Sequence, residues 1–302
     1  MSSSSKKSKV VDEPYLKFEY NNNCSSISTR HRHIHNVTSM KYVQSMDQIS
    51  VFAERSGAVK IYDADSAKIV SSFTLPRGAP MAAEYVKCKD SMMMSFGDTT
   101  MCLYDWKTYK TAIAEDGTPL MWPSNRVQYS LKWLEKHKRL YSGSVDGVVE
   151  SWDIDRRKIL SEMKGHSDVV ADIYHLRGVD TIATASLDKT ICIWDLYTST
   201  CEQVLKGHQL GVVSLTYVPE QRMLLSAGFD HDVIVWSPFS KKAISKLKGH
   251  NASVVKVCFL ISLSLSLSYL LCSSLISRTH SPTHFTHPFT TKIGVSIGAR
   301  HK

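Results

Sequence analysis

The stretch GHSDVVADIYHLRGVDTIATASLDKTICIWD (165–195) decides the fold, because it returns 42 residues later as GHQLGVVSLTYVPEQRMLLSAGFDHDVIVWS (207–237). Within the first copy, Val169–Tyr174 reads as an inner strand and Thr181–Ser186 as a second. Asp188-Lys189 makes a turn, Thr190–Asp195 is a third strand, and Cys201–Leu205 is a short outer one. Short β-branched and aromatic runs split by turn residues are what strands require.

Working outward, the beat persists. Trp152, Trp194 and Trp236 are 42 apart, as are Gly165-His166, Gly207-His208 and Gly249-His250. Earlier, Ile61-Tyr62-Asp63 and Leu103-Tyr104-Asp105 are again 42 apart, with Tyr in place of Trp. Tyr104 to Trp152 is 48, so six extra residues fall within Ala112–Pro123. A fixed period in the low forties predicts a propeller of four-stranded blades. Five blades end near Tyr62, Tyr104, Trp152, Trp194 and Trp236, and a sixth opens with Val254–Phe259.

The paired Gly-His and Trp-Asp landmarks resemble the WD-repeat (β-transducin-like) family over residues 31–259. The resemblance implies an all-β propeller, an incomplete ring where seven blades are common, and a protein-interaction scaffold with no catalytic function. It also implies that partners sit on the face made by the turns before each third strand and the loops entering each inner strand. The turn positions there are Val145, Leu187 and Phe229; the loops offer Asp168 and Leu210. Trp122, in the six-residue insertion, is the further candidate hot spot. For Phe229 and Trp122 the alternative is packing within their own blades.

An Asp recurs six residues before each landmark aromatic, at Asp98, Asp146, Asp188 and Asp230, and a hydroxyl four residues earlier at Ser142, Thr184 and Ser226. His166, Thr184, Asp188 and Trp194 can therefore form a relay, and His208, Ser226, Asp230 and Trp236 a second. In each, carboxylate, imidazole, hydroxyl and indole N–H satisfy one another. The family's histidine position holds His33, Pro76 and Ser124 in the first three blades, so only the fourth and fifth relays are complete. Asp63, Asp105, Asp153 and Asp195, next to the landmark aromatics, read as turn formers.

The chain has 302 residues and a formal net charge of +9, part of it from Lys6, Lys7 and Lys9 in a serine-rich segment that reads as a disordered basic tail within residues 1–30. No Lys/Arg stripe interleaves with aromatics, so specific nucleic-acid binding is not expected. Seven cysteines without C-x-x-C spacing point to reduced thiols and a cytoplasmic protein. There is no glycine-rich phosphate loop, nucleophile elbow or paired metal motif, so no enzyme and no cofactor is expected. His31, His33 and His35 alternate on one strand face and read as a polar strand entry, and His280, His284 and His287 in the tail read as a low-complexity coincidence, rather than as metal sites. The segment Ser226–Pro238 also resembles a subset of large WD-repeat proteins with EF-hand segments, some associated with cilia, although no EF-hand loop is present.

Residues 260–302 form a low-complexity tail with strict Leu/Ser alternation at 263–268 and no Asp or Glu. The alternation is that of a translated CT dinucleotide repeat, which favours a translated intron or frame error. Two alternatives stand beside it: a membrane-anchored adaptor using the 21 uncharged residues 257–277, and a truncated fragment with no independent function. Tyr15–Tyr20 alternates like a strand that caps an open sheet edge. Partner identity and oligomeric state are not legible.

Overall fold

The computed structural model describes residues 37–43, 45–53, 57–113, 119–240, 242–261, 268–274 and 295–296. The chain divides into two units, Met1–Ile34 and His35–Lys302, and all described residues lie in the second. Tyr15–Tyr20, His31, His33, His35, the Leu/Ser run 262–267 and the tail histidines lie outside the described residues.

The first sheet runs in the order β1 (Val37–Val43), β2 (Gln48–Ala53), β3 (Ala58–Asp63) and β4 (Ile69–Thr74). The second holds β5 (Ala82–Val86), β6 (Ser91–Ser95), β7 (Thr100–Asp105) and β8 (Lys110–Thr111), with β9 (Met121–Pro123) also paired to β7. The third is β10 (Gln128–Leu134), β11 (Arg139–Ser144), β12 (Val148–Asp153) and β13 (Lys158–Lys164). The fourth is β14 (Val170–Leu176), β15 (Thr181–Ser186), β16 (Thr190–Asp195) and β17 (Cys201–Lys206). The fifth is β18 (Val212–Val218), β19 (Met223–Gly228), β20 (Val233–Trp236) and β21 (Ala243–Leu247). A three-stranded sheet follows: β22 (Val254–Ile261), β23 (Ser268–Ser274) and β24 (Val295–Ser296). Every pairing is antiparallel and, β9 beside β7 apart, each sheet's strands follow chain order, as short turns between consecutive strands dictate. The fold is thus all-β, built from the repeating sheets of a WD-type propeller.

Because successive side chains point to opposite faces of a strand, each of the second to fifth sheets buries one set of residues against the sheet before it and the other against the sheet after it. In β15, Ile182 packs with Tyr141, Val149 and Met163 of the third sheet. Its neighbours Ala183 and Ala185 pack with Leu215, Leu224 and Trp236 of the fifth. The same arrangement joins the first and second sheets through Phe52, Ile61, Met92 and Met94. Val86, Met93, Leu131 and Trp152 join the second and third. Val218, Leu225, Val254 and Val257 seat β22 on the fifth sheet. The core is therefore a series of sheet-to-sheet layers.

One expectation is corrected. Trp122 does not sit on an exposed loop; it lies in β9, opposite Met101, and is 2% exposed. Its ring fills the layer beside Met101, Leu131 and Trp133, where a large apolar side chain gains most from leaving water. Within the same segment, Ile113 and Pro119 form an isolated bridge. Within the apolar run after Lys256, residues 257–261 belong to β22 and Ser268–Ser274 form β23, and among the described residues no helix is long and apolar enough to cross a membrane.

Candidate functional site

The fourth sheet carries a continuous polar chain inside its apolar layer. His166 Nδ1 lies 2.9 Å from Asp188 Oδ2 and Nε2 lies 2.7 Å from Thr184 Oγ1. Trp194 Nε1 donates to the same hydroxyl at 2.8 Å. In the fifth sheet His208 Nδ1 is 2.9 Å from Asp230, Nε2 is 2.7 Å from Ser226, and Trp236 donates to Ser226 at 2.8 Å. The geometry fits a neutral imidazole that donates from Nδ1 and accepts at Nε2. Burial pushes both histidines below the usual imidazole range, and the facing carboxylates only partly offset it. Burial pushes Asp188 up, but the Thr190 hydroxyl and His166 outweigh it and hold the carboxyl below its ordinary value.

The glycine before each histidine has a steric cause. A Cβ on Gly165 would come within 2.9 Å of Trp194, and one on Gly207 within 2.7 Å of Trp236. The indole lies across the bare backbone, which is why Gly-His and Trp recur as a set. The aspartates after the landmark aromatics bind their own turns. Asp195 Oδ1 accepts from Tyr197 N at 2.8 Å and Thr198 N at 2.7 Å, and Asp105 and Asp153 accept similarly.

The third sheet satisfies the same positions with other chemistry. Trp152 donates to Ser142 at 2.8 Å, but the histidine position holds Ser124. Arg126 takes over: its Nε donates to Asp146 at 2.8 Å and its Nη1 to Glu150 at 2.7 Å. Gln128 Nε2 donates to Glu150 at 2.8 Å and to Ser124 at 2.8 Å. Glu150 is fully buried at the register position of Cys192 and Ile234. Burial raises its carboxyl, with Arg126 opposing. In the second sheet Arg77 likewise pairs with Asp98, but Met94 stands where Thr184 and Ser226 stand, so no relay forms. Sequence reading missed Arg126, Gln128 and Glu150. The available signal was a carboxylate in a strand whose repeats carry Cys and Ile.

Charged residues also tie the inner strands together. Glu84 of β5 accepts from Lys41 of β1 at 2.8 Å and from Lys132 of β10 at 2.9 Å. Burial pushes Glu84 up, yet the two lysines prevail and bring it to about 2. Asp172 of β14 accepts from Leu215 N at 3.0 Å and from Lys256 of β22 at 2.8 Å, spanning the fifth sheet.

The remaining candidates gather at the ends of the strands. Leu187 N donates to Val169 O at 3.0 Å, Phe229 N to Gly211 O at 2.9 Å, and Val145 N to Val127 O at 3.0 Å. Each turn is thereby tied to the loop entering its own sheet. Neighbouring sheets touch here too: a Cβ on Gly147 would meet Asp168 O at 3.1 Å, and one on Gly211 would meet Leu187 at 2.9 Å. Val145, Leu210 and Phe229 are exposed at 41%, 48% and 39%; Asp168 is exposed and Leu187 half-buried. Trp122 is not part of this surface. Among the described residues no group of three His, Cys, Asp or Glu is gathered for a metal, and Cys88, Cys102, Cys192, Cys201 and Cys258 are free thiols.

Stacked four-stranded sheets with these His–hydroxyl–Asp–Trp chains define a propeller-type repeat protein. The family model described as WD domain, G-beta repeat, matches residues 157–195 and 199–237, which span the third strands carrying both relays. Residues 157–237 thus carry two WD repeats. Proteins with these repeats generally serve as non-catalytic scaffolds that mediate protein–protein interactions. No curated protein matches the chain.

Proposed function

We propose that this chain is a non-catalytic scaffold that takes protein or peptide partners on the surface formed by Val145, Asp168, Leu187, Leu210 and Phe229. One observation carries the reading. Residues from three sheets are held at one end of the strands by backbone hydrogen bonds, and they present apolar side chains to solvent where the turns do not need them. His166, Asp188, His208 and Asp230 are occupied in the relays. The test is partner capture from native extract by wild type, by a Leu210→Ala/Phe229→Ala double variant, and by a Val70→Ala control. The surface reading expects the double variant to lose partners that the control keeps, at unchanged melting temperature. Identical partner sets in all three would reject it.

A second reading, that the chain is part of a larger ring, rests on Met40 and Tyr42. Met40 of β1 is 59% exposed, whereas its register equivalents Leu131, Ile173, Leu215 and Val257 are buried against the preceding sheet. Ring closure by further sheets would bury it. Protection of Met40 from hydroxyl-radical oxidation in the protein as isolated from cells, and its absence in this chain expressed alone, is the expected result.

A further inference from the structure

A cleft of about 240 Å³ opens between the fourth and fifth sheets, at the strand ends opposite the surface above. Its apolar lining comes from Leu176, Val179 and Ile193, and its lip from Pro238 and Phe239, the latter 53% exposed. Every titratable residue lining it is acidic: Asp180, Asp195 and Glu202. Asp180 is already served by Lys136 Nζ at 2.6 Å and Tyr197 OH at 3.0 Å. Asp195 uses Oδ1 on its own turn, and neither it nor Glu202 has an ion-pair partner among the described residues. Gln203, also in the lining, keeps its amide Oε1 buried without a hydrogen-bond partner.

This lining is rich in acceptors, holds no cation, and sits in a chain of net charge +9. An apolar wall with an aromatic lip and two unneutralised carboxylates fits a planar, weakly hydrated cation with an aliphatic stem. A carboxylate or phosphate would meet the like charge of Asp195 and Glu202.

We propose that the cleft is a second docking site, and that it takes an arginine side chain of a partner peptide, flanked by an apolar residue that covers Phe239. The guanidinium donates to Glu202 and Asp195, and its stem lies over Val179 and Ile193. The site is independent of the turn surface formed by Leu210 and Phe229, so either can fail without the other.

The test is fluorescence anisotropy of the full chain with a fluorescein-labelled Gly-Leu-Arg-Leu-Gly peptide and its citrulline counterpart, which keeps the shape and loses the charge. The arginine peptide is expected to bind about tenfold more tightly, because charge-assisted hydrogen bonds are roughly twice as strong as neutral ones. Added salt should narrow that gap. Glu202→Gln and Phe239→Ala should each weaken binding several-fold, while Leu210→Ala/Phe229→Ala leaves it unchanged. Glu202→Lys should reject the arginine peptide and accept one carrying glutamate in its place, an outcome that a merely unfolded variant could not give. Equal binding of the arginine and citrulline peptides, or full affinity in Glu202→Gln, overturns the proposal, as does no detectable binding by the wild type.

Discussion

The third sheet and the fourth solve one problem in two ways. Both must bury a strand hydroxyl and a tryptophan N–H beneath a neighbouring sheet and hold a turn aspartate beside them. The fourth threads them through a neutral imidazole, His166, between Asp188 and Thr184. The third has Ser124 at that place, and it clamps Asp146 and a second, fully buried carboxylate, Glu150, with Arg126. The architecture therefore demands satisfied polar groups rather than histidine as such. The two solutions differ in their vulnerability. A neutral relay loses hydrogen bonds when a member goes, whereas a charge clamp strands an ion in apolar surroundings.

The largest expected effect tests what the two sheets share. Trp194→Ala and Trp152→Ala should each cost about 3–5 kcal/mol, because each empties a layer. Urea unfolding would show it, and a loss confined to one of them would break the equivalence. Arg126→Ala should cost about 3–5 kcal/mol, since Glu150 is left buried and unpaired. Arg126→Met combined with Glu150→Leu should recover most of that loss. Failure to recover would mean that the clamp matters beyond its own charge balance. His166→Ala should cost less, about 1–3 kcal/mol, the penalty for unsatisfied neutral partners.

Acidity should separate the sheets further. His166 and His208 sit below the ordinary imidazole value of 6.5, so below that pH the unfolded chain takes up protons that the folded one resists. Asp188 and Asp230, also depressed, add the same sign at lower pH. Glu150 is raised, so its contribution is favourable at low pH and lost as pH rises through its folded value. Amide exchange on lowering pH from about 7 to 5.5 should thus show β15 and β19 opening more readily and β11 unchanged. Equal loosening in all three would contradict the assignment of charge states. The smallest effect is expected for Asp168→Asn, below about 0.5 kcal/mol, because the side chain is exposed and outside the relays.

Much of this was legible because a repeat reports on itself. The relay residues share one spacing, and each type has a single chemical use at that spacing, so the fourth and fifth sheets could be written down strand by strand. Where the period loses its landmarks, legibility ends. Arg126 stands two residues past the position that the repeat points to, and reaches back only in three dimensions. Glu84 and its two lysines come from three different sheets, with 43 and 48 residues between partners, and no local pattern marks such a pairing. Trp122 was misplaced because Met121–Pro123 is three residues long and ends in proline, too brief to read as a strand beside an insertion. What positions it is the edge of β7, which the sequence does not display.

The exposure of Met40 and Tyr42 gives the molecule a direction. From the second sheet onward, each sheet rests on the one before it, with a wedge of apolar side chains driven into its neighbour. Among the described residues the first sheet is braced on one flank, by the layer around Phe52 and Met92. A column braced this way gives at its unsupported end. Thermal opening should begin at β1 and β2 and travel toward the tryptophan-bearing sheets, so the least sequence-regular part of the chain sets the temperature at which its most regular part is first exposed.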